Sequence, residues 1–439
     1  MRMFNPLYER VAASLVMPHR IAMNEGARFA KGGDYKASGQ DGGTRIESVP
    51  MQTHPHFDVV IVGGGLVGAS LAAALANSGL SLALIESQPT PASDSAWDSR
   101  IYAISPGSRS FLQDCGAWAL LDSKRVAAVE EMRVFGDRDA QIEFSAYQMG
   151  VAELACILEN RALHIALWQK LATQDNLTLL HPARCQSLEL AAAAATLTLH
   201  DGNRLTARLI VGSDGRDSWV RQQAGLSAAP TDYEQHGVVA NFRCSVPHRG
   251  IAHQWFQPDG ILALLPLPDQ QLSMVWSVSP QRAAELRAMP HEQLCAEVAS
   301  AARHTLGELS VITPAASFPL RLLTLEHISA PRIALIGDAA HNMHPLAGQG
   351  VNTGFRDARQ LAALLMDRGG QHDVGEASLL RRYDRKRRED ILTMQSTTYG
   401  LKQLFNNDHP LLGALRNVGL NLVNGVTPLK KQLMRHALN

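Results

Sequence analysis

The short run Phe57–Val62, rich in Val and Ile, leads directly into Gly63-Gly64-Gly65-Leu66-Val67-Gly68 and then into an Ala- and Leu-rich stretch. No other feature restricts the possible folds of this chain as much. A strand that meets Gly63-x-Gly65-x-x-Gly68 and continues as a helix is the dinucleotide-binding fingerprint. The first glycine permits the tight turn, the second lets a pyrophosphate approach the backbone, and the third lets helix and sheet pack closely. Free amides at the helix N-terminus, with its dipole, then hold phosphate charge. The next strand, Leu80 to Glu86, ends 21 residues beyond Gly65 in a carboxylate that can accept hydrogen bonds from the ribose hydroxyls of an adenosine. A strand, a helix and a second strand in this order imply a parallel sheet with a right-handed crossover.

The rest of the composition removes alternatives. Lys plus Arg and Asp plus Glu are equal at 41 each, so no global field steers the protein to nucleic acid. The five cysteines are scattered, without a C-x-x-C pair, as expected for reduced thiols in a cytoplasmic protein without a structural metal. The stretch Val59 to Ala76 carries no charge, but its glycines divide it into strand, turn and helix rather than a membrane span. Residues 1–50 hold six glycines between Gly26 and Gly43 and no apolar period. They are expected to form a disordered extension, with Met51 opening the folded protein.

Further along, Leu188–Leu190, Thr196–His200 and Leu205–Val211 read as strands, with a turn at Asp201-Gly202-Asn203 and a permissive linker over Ala191 to Ala195. Val238–Cys244, Ile261–Leu267 and Leu272–Val278 suggest an antiparallel sheet, followed by a helix from about Gln281 to Arg303. Arg332–Ile336 is a buried strand leading into another glycine-rich turn and helix. The expected fold is α/β: a Rossmann-like FAD-binding domain with a parallel sheet, an inserted substrate domain with a mixed or antiparallel sheet, and a C-terminal helical segment. The expected boundaries are 55–123, 150–230 and 328–372 for the first, 124–149 and 231–327 for the second, and 373–439 for the helical region.

Two more segments favour FAD over NAD. One is Gly212-Ser213-Asp214-Gly215, continuing to Arg221. The other is Gly337-Asp338-Ala339-Ala340-His341, continuing through Pro345 and Gly348-Gln349-Gly350-Val351-Asn352. In the second, Asp338 ends a strand where it can hydrogen-bond a ribityl chain, and the following helix N-terminus could face an anionic flavin edge. Gly350 is expected to need glycine's backbone freedom so that the Val351 and Asn352 amides can face the flavin.

With these motifs in this order, the chain from Phe57 onward resembles the flavoprotein aromatic hydroxylases of the para-hydroxybenzoate hydroxylase type. It looks most like the ubiquinone-biosynthesis hydroxylases. Asp98-Ser99-Arg100-Ile101, Glu159-Asn160-Arg161 and Phe318-Pro319-Leu320 add to the likeness. The resemblance implies an FAD-dependent monooxygenase using NAD(P)H as a transient co-substrate and O2, acting through a flavin hydroperoxide on the ring of a polyprenylated phenol. It places Gly63, Gly65, Leu66, Val67, Gly68, Glu86, Arg100, Asp214, Gly215, Asp338, Gly348, Gly350, Val351 and Asn352 at the cofactor. Pro345 would lie beside the isoalloxazine ring, and His341 invites an acid–base role, against the blander reading of a packing histidine. Trp255, Phe256 and Trp276 could wall an aromatic pocket or belong to a core.

Two other readings stand beside this one: a hydroxylase of another aromatic compound, and a flavin-bound, non-catalytic assembly subunit of a quinone-biosynthesis complex. The tryptophan pattern of the flavin halogenases is absent. From Glu376 to Asn439, Lys and Arg number 11 and Asp and Glu 5. Leu411, Leu412, Leu415, Val418 and Leu422 recur at helical spacing. A basic amphipathic end suits a membrane surface, peripheral to the inner membrane face, or a partner carrying a lipophilic phenolic substrate, although packing on the flavin domain would produce the same pattern.

Overall fold

The computed structural model describes residues 54–405 apart from 93, 95, 137–139, 227–230, 259, 343–348 and 370–371. The opening strand His56–Val62 pairs in parallel with Leu82–Ile85 on one side and Arg204–Gly212 on the other. Leu177–Leu180 extends the sheet beyond Leu82–Ile85, and Ile333–Leu335 extends it beyond Arg204–Gly212, both in parallel. Val59, Val60 and Ile61 are completely buried, as in a sheet covered on both faces, where strands read as continuous apolar runs. The fingerprint helix Leu66–Ala74 lies in the same core. It ends three residues short of the expected Asn77, because Ala76 and Ser78 donate to carbonyls three residues back and tighten the last turn.

The alanine run forms the tip of a hairpin between Cys185–Leu190 and Ala195–Leu199, closed by the Ala191 amide on the Ala194 carbonyl at 3.0 Å. The second sheet has seven strands, in the order Leu309–Leu322, Thr231–Cys244, Gln271–Val278, Gly260–Leu267, Ile251–Gln257, Glu131–Phe135 and Gln141–Ser145. Its ladders are antiparallel except that between Ile251–Gln257 and Glu131–Phe135. In place of one helix over 281–303 there are two, Pro280–Ala288 and His291–Ala301. Pro290 has no amide to donate and its ring clashes with the preceding turn, so the helix must restart. Both helices cover one face of the seven-stranded sheet.

A small third sheet, Ile101–Ile104, Ala155–Glu159 and Ala127–Val129, connects the two large ones. Ile101, Ala103 and Ile157 share an apolar cluster with Ala252, Leu265 and Leu267 of the seven-stranded sheet. The last described element, helix Ala377–Phe405, packs against helix Gln349–Met366. The heptad-like leucines beyond Phe405 and residues 1–50 lie outside the described residues.

Candidate functional site

Gly63 has φ +104°, a conformation disfavoured for side chains with a Cβ. A Cβ on Gly68 would sit 2.0 Å from the Gly63 carbonyl oxygen, so strand and helix meet only because this position is glycine. A Cβ on Gly65, by contrast, would project into open space. The peptide between these glycines is held from three directions. The Gly64 amide donates to Glu86 Oε2 at 2.7 Å, while the Gly64 carbonyl accepts from His164 Nε2 at 2.8 Å and Trp168 Nε1 at 2.9 Å. Burial pushes the His164 pKa down, which favours a neutral ring with its proton on Nε2, facing that carbonyl. Glu86 Oε1 accepts from the Gln88 amide and the Ser87 hydroxyl. Beside it opens a groove of about 390 Å³ lined in part by Ser87, Arg184, His200 and Asp201.

The other two motifs converge on this turn. Val67 packs against Gly337 and Gly354, where a Cβ would lie 3.3 Å and 2.6 Å from its methyl groups. Arg221, nearly buried, donates to the Ala339 carbonyl at 2.9 Å and the Arg216 carbonyl at 2.8 Å, tying the Asp214-Gly215 segment to the Gly337-Asp338 turn. Asp214 is occupied with structure: it accepts from the Ser218 hydroxyl and the Val220 amide at the start of helix Trp219–Gln223. The Asn352 side chain is likewise committed, accepting from the Ser105 amide and donating to the Ala103 carbonyl. Asp338 is exposed at its turn. Gly350 lies within helix Gln349–Met366 and is not among the glycines of positive φ, so the expected need for special backbone freedom is not met; its Cβ position faces open space.

His341 is 2% exposed, and its Nε2 lies 2.6 Å from Asp357 Oδ2, which also accepts the Gly337 amide. Arg387 Nε donates to Asp357 Oδ1 at 2.6 Å. Burial alone would raise the Asp357 pKa, but His341 and Arg387 overcome it and hold the carboxyl below its usual range. With one nitrogen engaged and the ring enclosed, this geometry gives His341 a structural place rather than that of an accessible acid or base. Arg100 is exposed, with its guanidinium 5.5 Å from the Tyr102 ring centroid. Arg161 reaches Asp94 and the Ala96 carbonyl, holding the loop before Arg100. Pro345 and Gly348 lie outside the described residues.

The register of the seven-stranded sheet separates the three aromatic candidates. Trp255, Leu262, Trp276 and Val238 are cross-strand partners and therefore share one face. Both tryptophans, at 1% and 2% exposure, belong to the core under helices Pro280–Ala288 and His291–Ala301, so they do not wall an open pocket. Phe256 points to the opposite face but is buried with Val134, Ile142 and Ile261. On that opposite face Val239, Val275 and Ala263 form one rung and are only half-buried. One rung along, Asn241 donates to the Asp98 carbonyl at 2.9 Å, so this half-open apolar strip lies next to the loop carrying Arg100. Among the described residues no cluster of His, Cys, Asp and Glu could hold a metal ion.

Two large sheets joined by a small third, with a fingerprint turn, a carboxylate bonded to that turn and a second glycine turn beside it, define the class of dinucleotide-binding flavoproteins. A family described as FAD binding domain matches residues 56–395, and the chain belongs to it, as an FAD-dependent monooxygenase of the ubiquinone-biosynthesis hydroxylase branch. It is 36% identical over 384 residues to ubiquinone hydroxylase UbiL of Rhodospirillum rubrum, covering 87% of this chain and 89% of that one. It is 36% identical over 395 residues to 3-demethoxyubiquinol 3-hydroxylase of Escherichia coli, covering 88% and 99%. The crystal structure of pqsL, a probable FAD-dependent monooxygenase from Pseudomonas aeruginosa, shares the fold with a TM-score of 0.71 at 22% identity, over 83% of this chain and 99% of that one.

The described residues fit FAD. Gly65, Gly215 and Gly350 each leave open the space a Cβ would fill, and Glu86 is oriented by three donors at the end of its strand. Sequence reasoning missed His164, Trp168, Asp357 and Arg387. None lies in a spacing motif, and each acquires its role only through contacts at least 16 residues away in sequence.

Proposed function

We propose that this enzyme uses NAD(P)H and O2 to hydroxylate the aromatic ring of a polyprenylated phenol in ubiquinone biosynthesis. The observation that carries this reading is the meeting of three flavin motifs around Gly63 and Val67, together with a half-open apolar strip next to the loop carrying Arg100. The activities named for the two 36%-identical relatives support the substrate class. When bound, FAD would supply the redox and oxygen chemistry, and the chain's own residues bind, orient and exclude water. The amides around Gly65 would hold the pyrophosphate, Glu86 the adenosine ribose hydroxyls and Asp338 the ribityl chain. The backbone of Val351 and Asn352, at the start of helix Gln349–Met366, would hold the flavin ring, while the Asn352 side chain is engaged with Ser105 and Ala103. Val239, Val275 and Ala263 form an apolar floor for the phenol, and desolvation there keeps water from the reacting oxygen. The test is expression in hosts blocked at each ring-hydroxylation step, followed by mass analysis of accumulated quinone intermediates. Restoration of one step identifies the ring position; restoration of none refutes the assignment.

A polyprenylated substrate has to be met at a bilayer or in a carrier's groove. No helix among the described residues is long and apolar enough to cross a membrane. On helix Ala377–Phe405, however, Arg381, Arg382, Arg385, Lys386 and Arg388 are all exposed, which suits anionic headgroups. Peripheral binding predicts salt-sensitive flotation with anionic vesicles; equal flotation with neutral vesicles, or none, argues against it.

A further inference from the structure

The opposite, buried side of that same helix does something else. Three side chains of helix Ala377–Phe405, at positions 383, 387 and 395, lie on one face and grip the segment Leu335–Asn342, which contains the Gly337-Asp338 turn. The Tyr383 hydroxyl donates to the Leu335 carbonyl at 2.9 Å, two residues before the turn. Gln395 Nε2 donates to the Asn342 carbonyl at 3.1 Å, just after it, and to the Leu323 carbonyl at 2.9 Å. Between them, Arg387 fixes one oxygen of Asp357 while the other accepts both the Gly337 amide and His341. Arg387 and Asp357 are 5% and 0% exposed. A buried charge pair of this kind is weak as a source of stability, because desolvation opposes the attraction, but it tolerates little displacement of either partner.

We infer that Arg387, Asp357, Tyr383 and Gln395 are positioning residues for the flavin: the helix Ala377–Phe405 is a splint that sets the turn presenting Asp338, and cofactor affinity depends on side chains that never touch the cofactor. This rests on the FAD-binding reading of the turn. Asp357 is the joint, because a single carboxylate couples helix Gln349–Met366, helix Ala377–Phe405 and the turn itself. The same arrangement gives His341 its place. The ring braces the carboxylate from the side opposite Arg387.

The test uses purified full-length chain stripped of flavin and titrated with FAD, following flavin fluorescence, the visible flavin bands and the thermal midpoint of the apoprotein. Arg387→Met and Asp357→Asn should each raise the FAD dissociation constant roughly tenfold and shift the flavin bands. The double variant should be no worse than the poorer single, since both break one coupling. Arg387→Lys, which keeps the charge but loses the planar fork, should recover only part of the affinity. A lower thermal midpoint with unchanged FAD affinity and unchanged bands would mean the helix merely stabilises the fold, and would overturn the inference. Should Arg387→Met fail to fold, Tyr383→Phe and Gln395→Met decide. Each removes hydrogen bonds to carbonyls at one end of the segment, so a weakening of at least about twofold supports the splint and wild-type affinity refutes it. Wild-type protein that takes up no FAD overturns the flavin reading itself, and the inference with it, an outcome distinct from variants that bind as the wild type does.

Discussion

Gly65 and Gly68 stand three residues apart in one turn, yet alanine at each should fail in a different way. At Gly68 the new methyl carbon would be 2.0 Å from the Gly63 carbonyl oxygen and 2.4 Å from the Ser213 hydroxyl oxygen. Normal carbon–oxygen contact needs more than an ångström of additional room, and the nearest obstacle is backbone of the turn that leaves the strand His56–Val62. Overpacking of this kind costs about 1–3 kcal/mol or more, which should appear as a lower thermal midpoint of the apoprotein. At Gly65 the methyl meets nothing within 4 Å, and the backbone, with φ −66° and ψ −176°, is open to any residue. The Gly65→Ala apoprotein should therefore unfold within about 0.5 kcal/mol of the wild type, as surface substitutions do. Its methyl would enter the space proposed above for the pyrophosphate. Displacing the phosphate from even one charge-assisted amide bond forfeits about 1.5–3 kcal/mol, roughly a 10- to 150-fold weaker FAD affinity. Thermal unfolding without FAD and fluorescence titration with FAD separate the two effects. Wild-type FAD affinity in Gly65→Ala would place the pyrophosphate elsewhere, and a fully stable Gly68→Ala apoprotein would refute the close approach.

Glu86→Ala removes the proposed ribose acceptor and also the partner of the Gly64 amide, so FAD retention should weaken by about 1–3 kcal/mol, read by equilibrium dialysis; unchanged retention excludes Glu86 from the adenosine site. Burial pushes the thiol of Cys115 up to about 12 and that of Cys156 to about 11, so native protein at pH 8 should react with an alkylating reagent at these two positions only after unfolding. Rapid labelling of the native chain, mapped by peptide mass, would contradict that burial. Burial also lowers His253 to about 4 from its ordinary 6.5, beside the rings of Phe135 and Trp255. Below pH 6.5 the unfolded state takes a proton that the folded state refuses, so stability falls as pH drops from 6.5 towards 4. Between pH 7 and 5 the loss from this group is about 2 kcal/mol. Denaturant midpoints should show it in the wild type and not in His253→Phe, and parallel pH slopes would show that His253 is not the group.

How far the residues alone could be read depended on whether a role is local. The fingerprint turn is local: φ at Gly63, the strand before it, the helix after it and the carboxylate at the end of the next strand lie within some thirty residues, and backbone sterics dictate their arrangement. The hairpin turn at Asp201-Gly202-Asn203 is equally local, with the Asn203 amide donating to Asp201 at 3.0 Å and Gly202 at φ +86°. The face of the sheet to which Trp255 and Trp276 point is not local. A strand shows only that alternate residues separate, and register against the neighbouring strands decided that the tryptophans pack under helices while Val239 and Val275 stay half-open. His341 shows the same division. As a histidine after a flavin motif it could be a base, and only tertiary packing sets Asp357 against its ring and Arg387 behind Asp357, across 16 and then 30 residues of chain. Local geometry follows from φ, ψ and side-chain volume, which sequence specifies. Burial, register and long-range charge pairing are properties of the whole folded chain, and they decided which of the polar and aromatic candidates are enclosed in the core and which stay accessible.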